Sequence, residues 1–311
     1  MELEALLQAR IGELGFYSPY SFLREFSPVE QFQFFVKPSI NKLLSLLNDS
    51  VKTIQVDGNE FVFLFERLSW DSSFFNRNCY KLFTVLYQPC PPAALIQAAH
   101  QFKIFLSLHG NTYCFIELPS EDVFLLQCLT AAGIQLVETR LHYHRQDLVN
   151  FSNERFPVRV ATASDGEALA QLAAQQRNPF DRTHADIHFT TKEADAYLVR
   201  YAQEALNGFC AGVLVPRGSA QPVNAFLAYS IFQETLPAKP MKRFHVALAA
   251  VSPSYQGGLY KLLSELVYKA KAEEALCVTY TTQTTNRAAI RTCEKLDFRF
   301  GRATHILSFS A

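Results

Sequence analysis

Neither sign of charge is in excess: 29 Lys+Arg balance 29 Asp+Glu across 311 residues, for a net charge of zero. Nucleic-acid binders and polybasic membrane clamps need a strong positive field, so both classes are disfavoured. No stretch approaches the ~20 apolar residues of a membrane span. Glu2 and Glu4 stand where a signal peptide would carry basic residues, and the run after them is amphipathic. A cytoplasmic location is therefore expected. The seven cysteines (Cys79, Cys90, Cys114, Cys128, Cys210, Cys277 and Cys293) are scattered, odd in number and without a C-x-x-C pair. That pattern predicts reduced, mostly buried thiols, with neither a disulfide framework nor a zinc site. Repeats and low-complexity tracts are also lacking. The single tryptophan, Trp70, is expected as a core anchor.

What is present suits two globular domains: 49% hydrophobic and 19% charged residues over 311 positions. The 27 phenylalanines read as an aromatic-rich core. Residues 1 to 50 read as a helical extension, with Ser27-Pro28-Val29-Glu30 a capping box and Pro38 a point where the helix must break or restart. From Val51 the texture turns to strand, and Thr53–Val56 and Phe61–Phe65 flank an Asp57-Gly58-Asn59 turn as a hairpin. Ile104–Leu108, Tyr113–Ile116 and Gln135–Tyr143 read as further strands, and Ser120–Ala132 as a helix stopped by Gly133. The polar, irregular stretch Arg145–Phe156 separates a first domain, 51–150, from a second, 157–311.

The second domain is better punctuated. Boxes at Ser164–Glu167 and Thr190–Glu193 open two helices, the second ending at Gly208. Strands follow at Phe209–Val215, Val223–Phe232 and Phe244–Val251. Then come a Gly turn, a helix Leu259–Ala272, a strand Leu276–Thr282, a helix Arg287–Leu296 and a last strand to Phe309. This order predicts an α/β (α+β) layout around one mixed sheet.

Two constellations carry chemistry. Between a strand and a helix lies Val251-Ser252-Pro253-Ser254-Tyr255-Gln256-Gly257-Gly258-Leu259, where glycines let the backbone curl around an anion and the next helix offers its first amides and dipole. A plain strand-to-helix turn would look the same. Thr282-Gln283-Thr284-Thr285-Asn286 closes the next strand, and Asn286 is a good helix N-cap whether or not it also binds a ligand.

Together these stretches resemble the GNAT superfamily of acetyltransferases, with a pyrophosphate loop after the fourth strand and an Asn opening the next helix. The resemblance covers 157–311. It implies a GNAT fold there and acetyl transfer from acetyl-CoA to a small primary amine. It assigns Ala250, Val251, Tyr255, Gln256, Gly257, Gly258, Leu259 and Asn286 to the coenzyme. The family's catalytic Tyr often stands seven residues past that Asn, where this chain has Cys293; Tyr260 and Tyr280 are the substitute acids. The loop is one residue short, and Tyr260 stands where a small residue is expected. Helical spacing with Ala289 and Leu296 also suits Cys293 as a buried structural thiol.

A narrower resemblance, to the two-domain dTDP-fucosamine acetyltransferases, rests on Ser69-Trp70-Asp71-Ser72-Ser73-Phe74-Phe75, Thr282-Gln283-x-x-Asn286 and Arg182-Thr183-His184-Ala185-Asp186. It implies a truncated GNAT-like first domain, a nucleotide-linked amino sugar as acceptor, and Arg182 and His184 as substrate residues. An amino acid or peptide amine, or a degenerate domain that binds a ligand or partner without turnover, are the rival readings; a homodimer is left open. No metal is expected: His142 and His144 share a strand face without a third ligand, and His184 and His188 lack the Glu of a zinc helix. His305 reads as a packed histidine, and Arg177, Arg182 and Lys192 as charges near the cleft that suit either a diphosphate or solvent.

Overall fold

The computed structural model describes residues 3–46, 49–218, 223–235 and 240–311. Of the stretch expected to be helical, residues 1, 2, 47 and 48, Glu2 among them, lie outside these. The chain forms two compact units, Met1–Thr139 with Arg302–Ala311, and Arg140–Gly301.

The first unit opens with short helices α1 (Leu3–Ala9), α2 (Ile11–Leu14) and α3 (Pro28–Gln31), and with α4 (Lys37–Ser45). The Ser27 box forms as expected, Glu30 reaching back to the cap backbone; Pro38 sits in the first turn of α4, but a π turn at Phe32–Val36 joins α3 to α4, so the helix runs on where a break or restart was expected. Then follow β1 (Val51–Val56), β2 (Asn59–Arg67), α5 (Ser69–Phe75), β3 (Asn78–Leu86), α6 (Pro92–Ser107), β4 (Thr112–Pro119), α7 (Val123–Ala131) and the start of β5 (Gln135–Arg145). The β1–β2 hairpin turns through Asp57 and Gly58, both at positive φ, the geometry a two-residue turn requires. The strands of this unit pair in the order β1, β2, β3, β4, with residues 304–310 of the last strand antiparallel to β4.

The expected strand at Ile104–Leu108 is instead the end of α6. Ala94, Leu95, Ala98, Ala99, Phe102 and Leu106 repeat at helical spacing and are buried, and Phe102 stacks on Phe63 at 4.4 Å. Trp70 is half-buried on α5 and stacks on Phe74. His305 is packed, its two ring nitrogens at Thr139 Oγ1 (3.0 Å) and Ser120 Oγ (3.2 Å).

The second unit continues with β6 (Val158–Val160), α8 (Gly166–Gln175), α9 (Arg182–Ala185), α10 (Thr191–Glu204), β7 (Gly212–Pro216), β8 (Ala225–Thr235) and β9 (Pro240–Val251). It closes with α11 (Gly258–Ala272), β10 (Cys277–Gln283), α12 (Arg287–Lys295) and the start of β11 (Arg299–Ser310). The chain enters this unit inside β5 and leaves it inside β11. Its strands lie in the order β5, β10, β9, β8, β7, β6; only the β9–β10 pair is parallel. Alternation along β8 serves both faces. Leu227 and Tyr229 pack with residues of α11 and α12, while Phe226 and Ala228 pack with Leu169 and Ala202 of α8 and α10.

The box expected at Ser164–Glu167 forms two residues earlier, at Thr162–Asp165. Asp165 reaches back to the Thr162 N–H at 2.8 Å, making Thr162 the cap of a 3-10 turn that leads into α8. Arg159 completes the site bidentately and, as the largest of the causes, holds Asp165 near a pKa of about 2. The Thr190–Glu193 box forms as expected.

Candidate active site

β9 and β10 run parallel only from Arg243 to Val246 and from Cys277 to Tyr280, then part. On the other side of β9, Leu248 and Val246 pair with successive residues of β8, Ala228 and Tyr229, so Ala247 is an inserted bulge residue. The bulge thus sits where the two parallel strands diverge. Beyond it, residues 247–251 of β9 turn an edge toward β10 that β10 does not pair.

At the end of β9 the Gly turn forms. Tyr255 N–H donates to Ser252 O and Gly258 N–H to Tyr255 O, while Gly257 caps α11 at φ 73°. Glycine holds that conformation at the lowest cost, with Asn the best tolerated of the other residues. Gly258 is needed for a different reason: a Cβ there would fall 2.4 Å from Tyr255 Cδ1 and 2.8 Å from Val251 Cγ1. The amides of Leu259 and Tyr260 belong to the first turn, where helical geometry supplies no acceptor. Lys261, which the sequence pattern did not single out, stands with its ammonium 4.8 Å from the Tyr255 ring centroid. Gln256 is exposed, and Leu259 packs against the core beneath. Ala250 is buried on the opposite face, with α8 and α10.

Asn286 caps α12, its Oδ1 accepting from Ala289 N–H at 3.2 Å. The cap engages the carbonyl oxygen and leaves the amide NH₂ to other partners. Of the candidate acids, Cys293 is fully buried, and desolvation pushes its thiol up to about 12. Burial also lifts Tyr280 above the ordinary tyrosine range. Tyr260, in the first turn of α11, accepts a hydrogen bond from Asn153 Nδ2 at 3.2 Å and meets Phe156 edge-on.

His184 is clamped between two carboxylates, Nδ1 at Asp181 Oδ2 (2.8 Å) and Nε2 at Asp195 Oδ1 (3.1 Å). Arg177 grips the same Asp195 at 2.8 Å, and Arg182 lies 6.0 Å from the Tyr197 ring centroid. Asn178 Nδ2 donates to Gln283 Oε1 at 2.8 Å, fastening the α8–α9 connection to the end of β10. Among the described residues, no group of three His, Cys, Asp or Glu side chains is placed to hold a metal.

A cavity of about 550 Å³ opens on the α10 side of the sheet, lined by Tyr201, Phe209, Ser230, Phe232, His245 and the bulge residue Ala247, among others. Sequence reading missed it, because its walls come from α10, the turn after it, β8 and β9. His245 Nδ1 lies 3.0 Å from Thr279 Oγ1, whose own proton goes to Phe244 O. A hydroxyl has one proton to give; assigning it to Phe244 O makes His245 Nδ1 the donor in that contact and leaves Nε2 as the nitrogen that can accept a proton.

No protein-family model and no curated protein sequence matches this chain. Solved structures do. A GCN5-related N-acetyltransferase from Sphaerobacter thermophilus superposes at TM-score 0.56 over 98% of this chain and 92% of that one, at 10% identity. The fold is the GNAT fold. A GCN5-related N-acetyltransferase from Kribbella flavida gives TM-score 0.50 over 88% of this chain and 95% of that one, at 16% identity. A conserved protein of unknown function from Staphylococcus epidermidis gives 0.51, covering 85% of this chain and 96% of that one, at 12% identity. As the order of elements suggested, the chain is a mixed α/β protein, and the GNAT likeness extends over most of its length. No helix among the described residues is long and apolar enough to cross a membrane.

Proposed function

We propose that the chain transfers an acetyl group from acetyl-CoA to a small primary amine. The observation that carries this reading is the parting of β9 and β10 at the Ala247 bulge, with a cavity on one side and a glycine turn at the strand's end. The Gly257–Gly258 turn, the first amides of α11 and Lys261 form an electropositive seat for a pyrophosphate. The unpaired edge at 247–251 offers backbone partners to an arm that carries amides. Acetyl-CoA supplies the acyl thioester.

His245 Nε2 is the base: it takes a proton from the acceptor ammonium. The freed nitrogen bonds to the acyl carbon, the carbon–sulfur bond breaks, and the sulfur leaves as thiolate while the nitrogen sheds its second proton, which balances the one that thiolate takes up. A thiol at about 12 is a weaker acid than a free thiol of ~8.5, so proton donation from Cys293 to that thiolate runs uphill. Tyr280, raised by burial, is disfavoured on the same ground. Water, or Tyr260 outside the sealed core, is left to return the proton. The amino-sugar acceptor implied by Ser69–Phe75 and Arg182–Asp186 is one candidate within this reading, as is an amino acid or peptide amine.

The test is a thermal-shift titration with acetyl-CoA. A ligand at 100 times its Kd stabilises by roughly 2.7 kcal/mol, and His245→Gln should keep that shift while lowering thiol release in the presence of an amine by about 100-fold or more. An unmoved melting temperature at saturating acetyl-CoA would sink the transferase reading and favour a GNAT fold retained as a module for another ligand.

A further inference from the structure

We infer that the cavity beside the bulge takes a small amine with an aromatic body and no anionic group. The acyl-transfer chemistry rests on the preceding section, but the binding claim does not. Apolar side chains exposed singly are ordinary, but those that gather on one concave surface mark a ligand groove; Phe209 is 54% exposed and Phe232 is 41% exposed, and both wall this cavity.

Their positions are built rather than incidental. Gly208, at φ 95°, ends the turn after α10 and delivers Phe209, which Tyr201 meets edge-on at 5.1 Å. Across the cavity Arg243 lies 4.5 Å from the Phe232 ring centroid, and His245 stands 6.2 Å from the same ring. These aromatic rings therefore converge on the cavity that His245 and Ala247 also line.

Charge decides what else can enter. No Lys, Arg, Asp or Glu is among the described residues that line the cavity. Arg243 is buried behind Phe232 and bonded to Thr279 Oγ1 at 3.1 Å, so it is not part of the wall. Among these described residues a nucleotide diphosphate would find no cation, and the carboxylate of a free amino acid no charged partner. An ammonium is different, because the Tyr201 and Phe209 rings attract a cation, while Phe232 already carries Arg243 on one face. A volume of about 550 Å³ suits a one- or two-ring arylalkylamine with its nitrogen toward His245.

The experiment is isothermal calorimetry on the full-length chain, with and without saturating coenzyme A, using 2-phenylethylamine, UDP-glucosamine and leucine as probes. We expect 2-phenylethylamine to bind at least 100-fold more tightly than either competitor. Phe209→Ala and Phe232→Ala should each weaken it by about tenfold. Phe232→Ala also uncovers Arg243 and Phe209→Ala loses its contact with Tyr201, so each variant's fold is checked by circular dichroism before its affinity is compared. Tighter binding of UDP-glucosamine or leucine, no 2-phenylethylamine binding in either condition, or unchanged affinity in both variants would overturn the inference. The two readings fail separately. Thiol release from acetyl-CoA with UDP-glucosamine but not with 2-phenylethylamine keeps the transferase and rejects the aromatic site. Phe-dependent binding of 2-phenylethylamine without thiol release does the reverse.

Discussion

Replacing Gly258 by alanine tests whether the turn before α11 is a built anion seat or an ordinary connection. The new Cβ would lie 2.4 Å from Tyr255 Cδ1 and 2.8 Å from Val251 Cγ1. Val251 is held at the end of β9, so the Tyr255 ring has to yield, and with it the cation–π contact to Lys261 at 4.8 Å. Overpacking of this kind costs about 1–3 kcal/mol, and an exposed cation–π contact about 0.5–1 kcal/mol. Alanine's better helix propensity returns up to about 1 kcal/mol, leaving a net loss of roughly 1–3 kcal/mol. The right probe is amide hydrogen exchange across α11, because the single tryptophan, Trp70, lies in the other unit and would report there. At a factor of ten per 1.4 kcal/mol, exchange should quicken by roughly 5- to 150-fold, with acetyl-CoA affinity falling as the turn shifts. Gly257→Asn is the control: its φ of 73° suits Asn, and nothing stands within 4 Å of the added Cβ. Its α11 protection should stay near wild type. If Gly258→Ala leaves both exchange and affinity unchanged, the packing argument for this turn is wrong.

Three further outcomes are expected. Cys293→Ala should cost about 1 kcal/mol of stability and lower the acetyl-transfer rate by less than tenfold, since a thiol held at about 12 is a poor donor; a loss of ~100-fold or more, the size of general acid catalysis, would make it the proton donor after all. Asn286→Asp should keep the cap on the Ala289 N–H and the stability of α12, yet weaken coenzyme binding by adding a negative charge; equal affinity would leave Asn286 with a structural role alone. His144 is buried on β5, and desolvation, assisted by Arg299, lowers its pKa from 6.5 to about 4, so the unfolded chain binds the proton first. Stability from this group is intact above pH 6.5 and falls as pH drops toward 4, by about 3 kcal/mol in all; in denaturant unfolding at pH 7 and pH 4, His144→Gln should lose correspondingly less than wild type.

Much of the local structure was legible because it depends on hydrogen bonds spanning three or four residues. Ser27 with Glu30, Thr190 with Glu193, the Asp57-Gly58 turn and the Asn286 cap each involve groups that meet wherever the rest of the chain goes. The order of helices and strands from 157 onward followed from these signals, and so did the expectation of a mixed sheet. Legibility failed where neighbours in space, not in sequence, made the choice. Ile104–Leu108 is apolar enough for a strand, and only burial of the Ala94–Leu106 stripe against residues such as Phe63 makes the segment helical. The last strand pairs residues 304–310 with 113–119, a partnership almost two hundred residues long in sequence that no local pattern encodes. The bulge at Ala247 needs the register of β8 to be visible at all. The candidate site divides in the same way. The Gly turn and Asn286 were readable as motifs, whereas His245, Phe232, Phe209 and Tyr201 carry no motif. Packing of α10 on β8 and β9 brings those four scattered side chains to one cavity, and the strand register decides that they meet.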